Sequence, residues 1–152
     1  METLAIINTV VKCLQETVPE LDVLISATDP VEYVPEGSNP TVLLEYSGSD
    51  FASLISTDAI VLKRTLKMTV TVIVPKIDEA INVLDSVRIA LGGISLPGCE
   101  CPLWPVNENY IGENAGVCRY ILELATNMPF IVNQVSDNLP LLTLVNYKEE
   151  IL

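Results

Sequence analysis

The residues of this chain that could do chemistry are cysteines and acidic side chains, because none of the 152 residues is a histidine. Histidine is the usual acid–base group near neutral pH and the commonest protein ligand for metals. A chain without it cannot form the Ser–His and Cys–His pairs that activate nucleophiles. The composition therefore predicts a protein that is not an enzyme.

The four cysteines do not have the spacing of a zinc site. Cys99 and Cys101 form one Cys-x-Cys pair in a predicted loop, whereas Cys13 falls in a helical pattern and Cys118 in a strand pattern. Structural zinc sites usually combine two closely spaced cysteine or histidine pairs. We expect structural thiols, of which those in the loop are the more exposed.

The acidic side chains do not indicate a cofactor or metal site either. The adjacent acids at 78–79 and 149–150 are most simply solvated charges, and Asp29, Glu32 and Glu36 do not follow the spacing of an EF-hand. The chain also lacks a glycine-rich phosphate loop and a G-x-S-x-G motif. We therefore predict that it binds no cofactor and no metal.

The formal net charge of −12 argues against a nucleic-acid partner, since such a surface needs clustered basic residues. The basic cluster in the sequence is Lys63, Arg64 and Lys67, and we predict that it faces acidic patches of a neighbouring subunit or of a second partner protein. The longest apolar stretches are shorter than the roughly 20 residues that span a bilayer. The acidic start of the chain does not look like a signal peptide, so we expect a cytosolic protein without a membrane partner.

The high apolar content, 49% of the residues, indicates surfaces that meet other surfaces. Together with the lack of catalytic groups, it predicts an assembly component. The length fits one domain, for which we expect residues 1–128, followed by a C-terminal extension over 129–152.

The periodicity of apolar residues predicts the element order α, β, β, β, α, β, β. The predicted helices cover 3–17 and about 78–91, and the predicted strands cover 21–27, 41–47, 60–74, 103–106 and 117–126. The glycine-containing segments 48–50 and 112–116 are predicted as strand ends and loops. Strands that mostly follow one another predict an α+β fold, with a mainly antiparallel central sheet and both helices on one face.

The segment 60–74 is the strongest strand pattern. Its apolar residues Leu66, Met68, Val70, Val72 and Val74 alternate with Lys63, Thr65, Lys67, Thr69 and Thr71. Such a strand would be about 50 Å long. That length exceeds what the domain needs for its own sheet, and the surplus could project toward a neighbour.

Two further segments are candidate partner surfaces. In 51–59, Phe51, Leu54 and Ile55 are apolar residues inside a connection, which is either a short helix packed on the core or a loop that docks on a partner. In the extension, the strand-like run 141–147 could add to the edge of a partner's sheet. Its apolar members are Leu141, Leu142, Leu144, Val145 and Tyr147.

The run LDSVRIALGGISLPGCECPLWPVNENYIGENAGVCRYILELAT carries a family resemblance. It resembles the tail terminator proteins of long-tailed bacteriophages, especially those of Mu-like contractile phages. The matching features are a helix that ends with Val87-Arg88, Leu91 and Gly92, then a turn and two strands, the second over 116–126. The N-terminal helix, the strand NPTVLLEYSG and the long third strand occur in the family's order, so the resemblance covers about residues 1–128.

The resemblance implies a non-enzymatic structural protein of the virion, assembled in the host cytoplasm and located at the tail–neck junction. Such proteins form a homo-hexameric ring on the last ring of tail tube protein, stop its growth and meet the neck connector. In contractile tails they also meet the sheath protein. Two alternatives stay open: a head-completion or neck connector protein, and a small non-catalytic ligand-binding module.

Overall fold

A computed structural model describes residues 2–25, 33–35, 37–52 and 61–132. The order of elements in this part of the chain is the predicted one, and the α+β fold is confirmed. The helices are α1 (Glu2–Thr17) and α2 (Ile77–Leu91), and the strands are β1 (Asp22–Ile25), β2 (Thr41–Phe51), β3 (Val61–Val74), β4 (Trp104–Asn114) and β5 (Val117–Ile131).

The five strands form one mixed sheet in the order β1-β2-β3-β5-β4. The pairing of β1 with β2 is parallel and the other three pairings are antiparallel. The two long strands β3 and β5 pair from Val61↔Ile131 to Val74↔Cys118 and form the centre of the sheet. In this sheet β1 and β4 are the two edge strands.

Both helices pack on one face of the sheet and share a single core with it. The predicted core face of β3 is confirmed, because Leu66, Met68, Val70, Val72 and Val74 are all fully buried. The helices contribute Ile6, Ile7, Val10, Leu14, Ala80, Leu84, Val87 and Leu91. Each set repeats at the spacing of its element, which is why a stripe of each helix faces the sheet.

The opposite face of the sheet is partly covered as well. Leu43, Ile73 and Val117 form a small buried cluster there, against which Tyr33 packs. The buried guanidinium of Arg119 donates a hydrogen bond to the backbone carbonyl of Tyr33. Tyr33 therefore lies over this end of the second face.

A salt bridge joins α2 to the edge strand β4. Arg88 donates hydrogen bonds to the carboxylate of Glu108 from Nε (2.9 Å) and Nη2 (2.7 Å). Its Nη1 donates a third hydrogen bond to the carboxylate of Asp85 (2.8 Å). These hydrogen bonds, first to Glu108 and then to Asp85, raise the pKa of Arg88 further above its ordinary value. The arginine near the end of the predicted helix thus holds β4 against the helix layer.

The second strand is longer than predicted. The sequence predicts that Gly48 ends it, but β2 continues to Phe51. Its pairing with β3 shifts by one residue between Tyr46 and Gly48, and Gly48 has a φ of 137°. Glycine adopts such a backbone without a side-chain clash, so the chain forms a bulge here and stays in the sheet.

The prediction of a loop over 112–116 is wrong. The connection between β4 and β5 is a two-residue turn, in which Ala115 and Gly116 have φ values of 56° and 81°. Two positive φ angles define the type I′ turn that suits the twist of a hairpin. Gly112 lies inside β4, at a second shift in pairing.

The last strand reaches into the predicted extension. Because β5 runs to Ile131, residues 129–131 belong to the sheet and not to an arm. Pro129 is tolerated because β4 pairs with β5 only as far as Ala125, which leaves the proline on a free edge. Residues 133–152 lie outside the described part of the chain, and their assignment to an extension stays a prediction.

Candidate functional site

The candidate site is an apolar groove of about 650 Å³ at the end of the sheet where β2 stops and β3 begins. One wall is the first turns of α1, and the other is formed by the strands. Its lining residues are Glu2, Thr3, Leu4, Ile7, Ile25, Tyr46, Phe51, Arg64 and Phe130. We call it the α1 groove.

Apolar side chains from four elements are exposed together in the α1 groove. Leu4, Ile25 and Phe51 are each about half exposed, and Phe130 is 40% exposed. The rings of Phe51 and Phe130 meet edge to face, with their centroids 5.4 Å apart. Single exposed apolar residues are common on proteins, whereas a contiguous group of them is typical of a binding surface.

The two phenylalanines meet because their strands flank β3. Phe51 pairs with Arg64 on one side of β3, and Phe130 pairs with Leu62 on the other. An edge-to-face ring pair contributes about 0.5–1.5 kcal/mol beyond the area that it buries. The pair therefore gives the groove a rigid aromatic wall.

Arg64 forms the polar part of the groove and is only 8% exposed. It donates hydrogen bonds to the hydroxyls of Ser49 (2.9 Å), Thr3 (2.9 Å) and Tyr46 (3.0 Å). Its Nη1 lies 3.5 Å from a carboxylate oxygen of Glu2. One guanidinium thus fixes the start of α1 against β2.

The aromatic rings of the groove also contact this cation. The guanidinium carbon of Arg64 lies 5.9 Å from the ring centroids of both Tyr46 and Phe51, within the range of a cation–π interaction. Burial alone would raise the pKa of the Tyr46 phenol, but its hydrogen bonds with Ser49 and Arg64 and the charge of Arg64 outweigh burial and lower the pKa. The phenol oxygen therefore acts as an acceptor that helps to compensate the buried charge.

The structure separates the three basic residues that the sequence places together. Arg64 shares its face of β3 with the core residues, whereas Lys63 and Lys67 are on the opposite face, because neighbouring strand residues alternate. Lys67 forms an exposed ion pair with Asp50, with 3.0 Å between nitrogen and oxygen. The predicted contact with a neighbour stays a prediction for the two lysines, while Arg64 already has partners within the chain.

Of the other predicted partner residues, the structure describes Phe51, which lies in the α1 groove. The remaining ones fall outside the described residues, and their role stays a prediction; they are Leu54, Ile55, Leu141, Leu142, Leu144, Val145 and Tyr147.

The next candidate residues are the four cysteines. All four lie in the described part of the chain and are free thiols. Burial raises the pKa of Cys99 and of Cys118, whereas a thiolate nucleophile needs a lowered pKa. Among the described residues, no group of three or more cysteine and acidic side chains is arranged to hold a metal ion.

Sequence reasoning missed most of the groove. Leu4 is exposed at the start of α1 and Phe130 stood in the predicted extension, so neither was linked to Phe51. The available indication was the phase of β3: Arg64 is an even-numbered residue, like Leu66 and Met68, and belongs to the core face. That phase predicts a buried arginine with partners.

The fold and the groove together define a class of α+β domain with an open apolar surface at one end of its sheet. Residues 10–149 match the family model described as Gp37 protein, and the chain therefore belongs to that family. No helix in the described ranges is long and apolar enough to cross a membrane.

Solved structures show the same fold. One chain of the structure "Virion of native gene transfer agent (GTA) particle" matches with a TM-score of 0.55 and 16% sequence identity. The match covers 83% of this chain and 93% of that chain. Among curated proteins, none matches the sequence.

Proposed function

We propose that this protein is a structural component of a phage-like virion and, within it, the tail terminator. It forms a homo-hexameric ring on the last ring of tail tube protein, stops the growth of the tube, and offers its outer surface to the neck connector. In a contractile tail it also ends the sheath. The observation that carries the proposal is the fold shared with a virion chain over 83% of the present chain.

The distribution of exposed apolar residues supports an assembly role. Besides the α1 groove, Ile81 and Ile89 of α2 and Val106 and Tyr110 of β4 are at least half exposed. A closed ring needs two different complementary surfaces on each subunit. The exposed apolar side chains of α2 and β4 lie outside the α1 groove and offer one such surface.

The test is assembly with purified tail tube protein. We expect rings with six-fold symmetry in negative-stain images, and a mass by light scattering that corresponds to a hexamer or to a ring bound to tubes. Added during tube polymerisation, the protein should shorten the tubes. Only monomers, with tube length unchanged at equimolar protein, would contradict the proposal.

The same structural match supports a second candidate, a head-completion or neck connector protein, because the matched chain comes from the structure of a whole virion particle. The two candidates differ in their first partner. A tail terminator binds isolated tubes, whereas a connector binds the portal side of filled heads and leaves tube length unchanged.

A further inference from the structure

The α1 groove lies where the described chain leaves the sheet. Phe130 lines the groove, and the next residue, Ile131, ends β5 and is 66% exposed. The residues that follow, 133–152, therefore start beside an open apolar surface. The C-terminal residues of the same chain are therefore close enough to occupy the groove without a second molecule.

We propose that the α1 groove is the docking site for the apolar run 141–147 of this chain's own C-terminal segment. Five of the seven residues in that run are Leu, Val or Tyr, and the exposed wall of the groove is made of Leu, Ile and Phe side chains. Docking would remove both apolar surfaces from water, which is favourable in proportion to the buried area.

The length of chain between the two parts permits this docking. The connecting residues 133–140 span at most about 28 Å when extended, and they start at the rim of the groove. Ser136, Asp137 and Asn138 are residue types that favour turns, so the chain can reverse direction within the connection.

The covalent connection favours the run of the same chain over that of a second copy. A short flexible linker gives the tethered segment an effective concentration in the millimolar range. A second copy would have to be present at a similar concentration to compete. The run therefore docks on the groove of its own chain, whether or not the chain forms a ring.

The first experiment uses the full chain with isotope-labelled leucine and isoleucine methyl groups. In a Leu141→Asp/Leu144→Asp variant, we expect the NMR methyl resonances of Leu4, Ile7 and Ile25 to shift. The matched control, Thr143→Asp/Asn146→Asp, adds the same charge to polar positions of the run and should leave them in place. Resonances that do not move in either variant would overturn the proposal.

The second experiment measures hydrogen exchange of the backbone amides in the run 141–147. We expect at least 10-fold protection of the amides of 141–147 in the unchanged chain. Leu4→Glu in the groove should abolish this protection. Ile89→Glu, at an exposed position of α2, should leave it intact. Exchange at the unprotected rate in the unchanged chain would overturn the docking.

A third measurement identifies the occupant. In an equal mixture of labelled and unlabelled chains, contacts between Ile25 and residues 141–147 should arise within one chain and be independent of concentration. Contacts between labelled and unlabelled chains would assign the groove to a second copy, and a small molecule found by mass spectrometry of the purified protein would assign it to a ligand. Either result would overturn the proposal.

Discussion

At the scale of single residues, Arg64 is the most consequential side chain of the described structure. Burying a charge is costly unless other groups compensate it, and here the compensation consists of the carboxylate of Glu2, three hydroxyls and two aromatic rings. Since these groups belong to α1 and β2, the arginine couples the helix to the sheet.

Replacing Arg64 should therefore destabilise the fold. We expect Arg64→Met to lower the free energy of unfolding by about 1.5–3 kcal/mol, the range for hydrogen bonds that involve a charged group. Lysine should rescue little of this loss, because its ammonium cannot reproduce the planar set of donors. Urea denaturation measures the free energy of unfolding. The control is Lys63→Met, at an exposed neighbouring position, for which we expect the free energy of unfolding to change by less than about 0.5 kcal/mol.

The separation of the basic residues determines which charge reversal is informative. Reversing all three charges would place an acidic side chain in the buried site of Arg64 and disrupt the α1 groove. The informative variant is therefore Lys63→Glu/Lys67→Glu. We expect it to retain the thermal stability of the unchanged protein and to slow assembly with the tube, most clearly at low salt. If the variant assembles at the normal rate at both low and moderate salt, the two lysines take no part in the interface.

At the scale of elements, the order and type of every helix and strand could be predicted, whereas several ends could not. Apolar periodicity is a local property and identified β3 and its core face correctly. Gly48 and Gly112 were interpreted as ends because glycine is common in turns. Both lie in bulges, where the hydrogen bonds of a distant partner strand keep the chain in the sheet, and local sequence carries no information on that partner.

The hairpin turn between β4 and β5 offers a stabilising substitution. Ala115 has a φ of 56°, a left-handed conformation that is unfavourable for alanine and that asparagine tolerates better. We expect Ala115→Asn to raise the free energy of unfolding by about 0.5–1 kcal/mol. Gly116→Ala, at the second positive φ, should lower it by about 1 kcal/mol. Thermal denaturation of the two variants checks the signs, and a loss of stability in the asparagine variant would contradict the turn assignment.

At the scale of the whole molecule, the boundary of the compact domain determines where the chain can be shortened. Because β5 ends at Ile131, we expect a chain cut after Val132 to unfold cooperatively and retain most of its thermal stability. It should melt at a somewhat lower temperature than the full chain, because the cut removes the run that we propose to dock on the α1 groove. A chain that lacks only 148–152 keeps the apolar run and is the matched control. A shorter chain that does not fold would show that residues 133–152 are required for the core of the domain.

The groove could not be predicted at this scale from the sequence. Its walls come from residues as distant as Leu4, Phe51 and Phe130, and only the pairing of β3 with both β2 and β5 brings them together. The sequence resemblance anticipated the type of fold, because the fold follows from the order of elements. It did not indicate which surface of the domain is apolar and open.

The position of β5 in the sheet has a consequence for the order of folding. β3 pairs with β5 across separations from 44 residues (Val74 with Cys118) to 70 residues (Val61 with Ile131). During synthesis, α1, β1, β2, β3 and α2 leave the ribosome before the strand that completes the centre of the sheet. Contacts so distant in sequence close slowly, and domains dominated by them fold in roughly milliseconds to seconds. The nascent chain therefore keeps one edge of β3 unpaired until β5 arrives, and the sheet can be completed only after synthesis has passed residue 131.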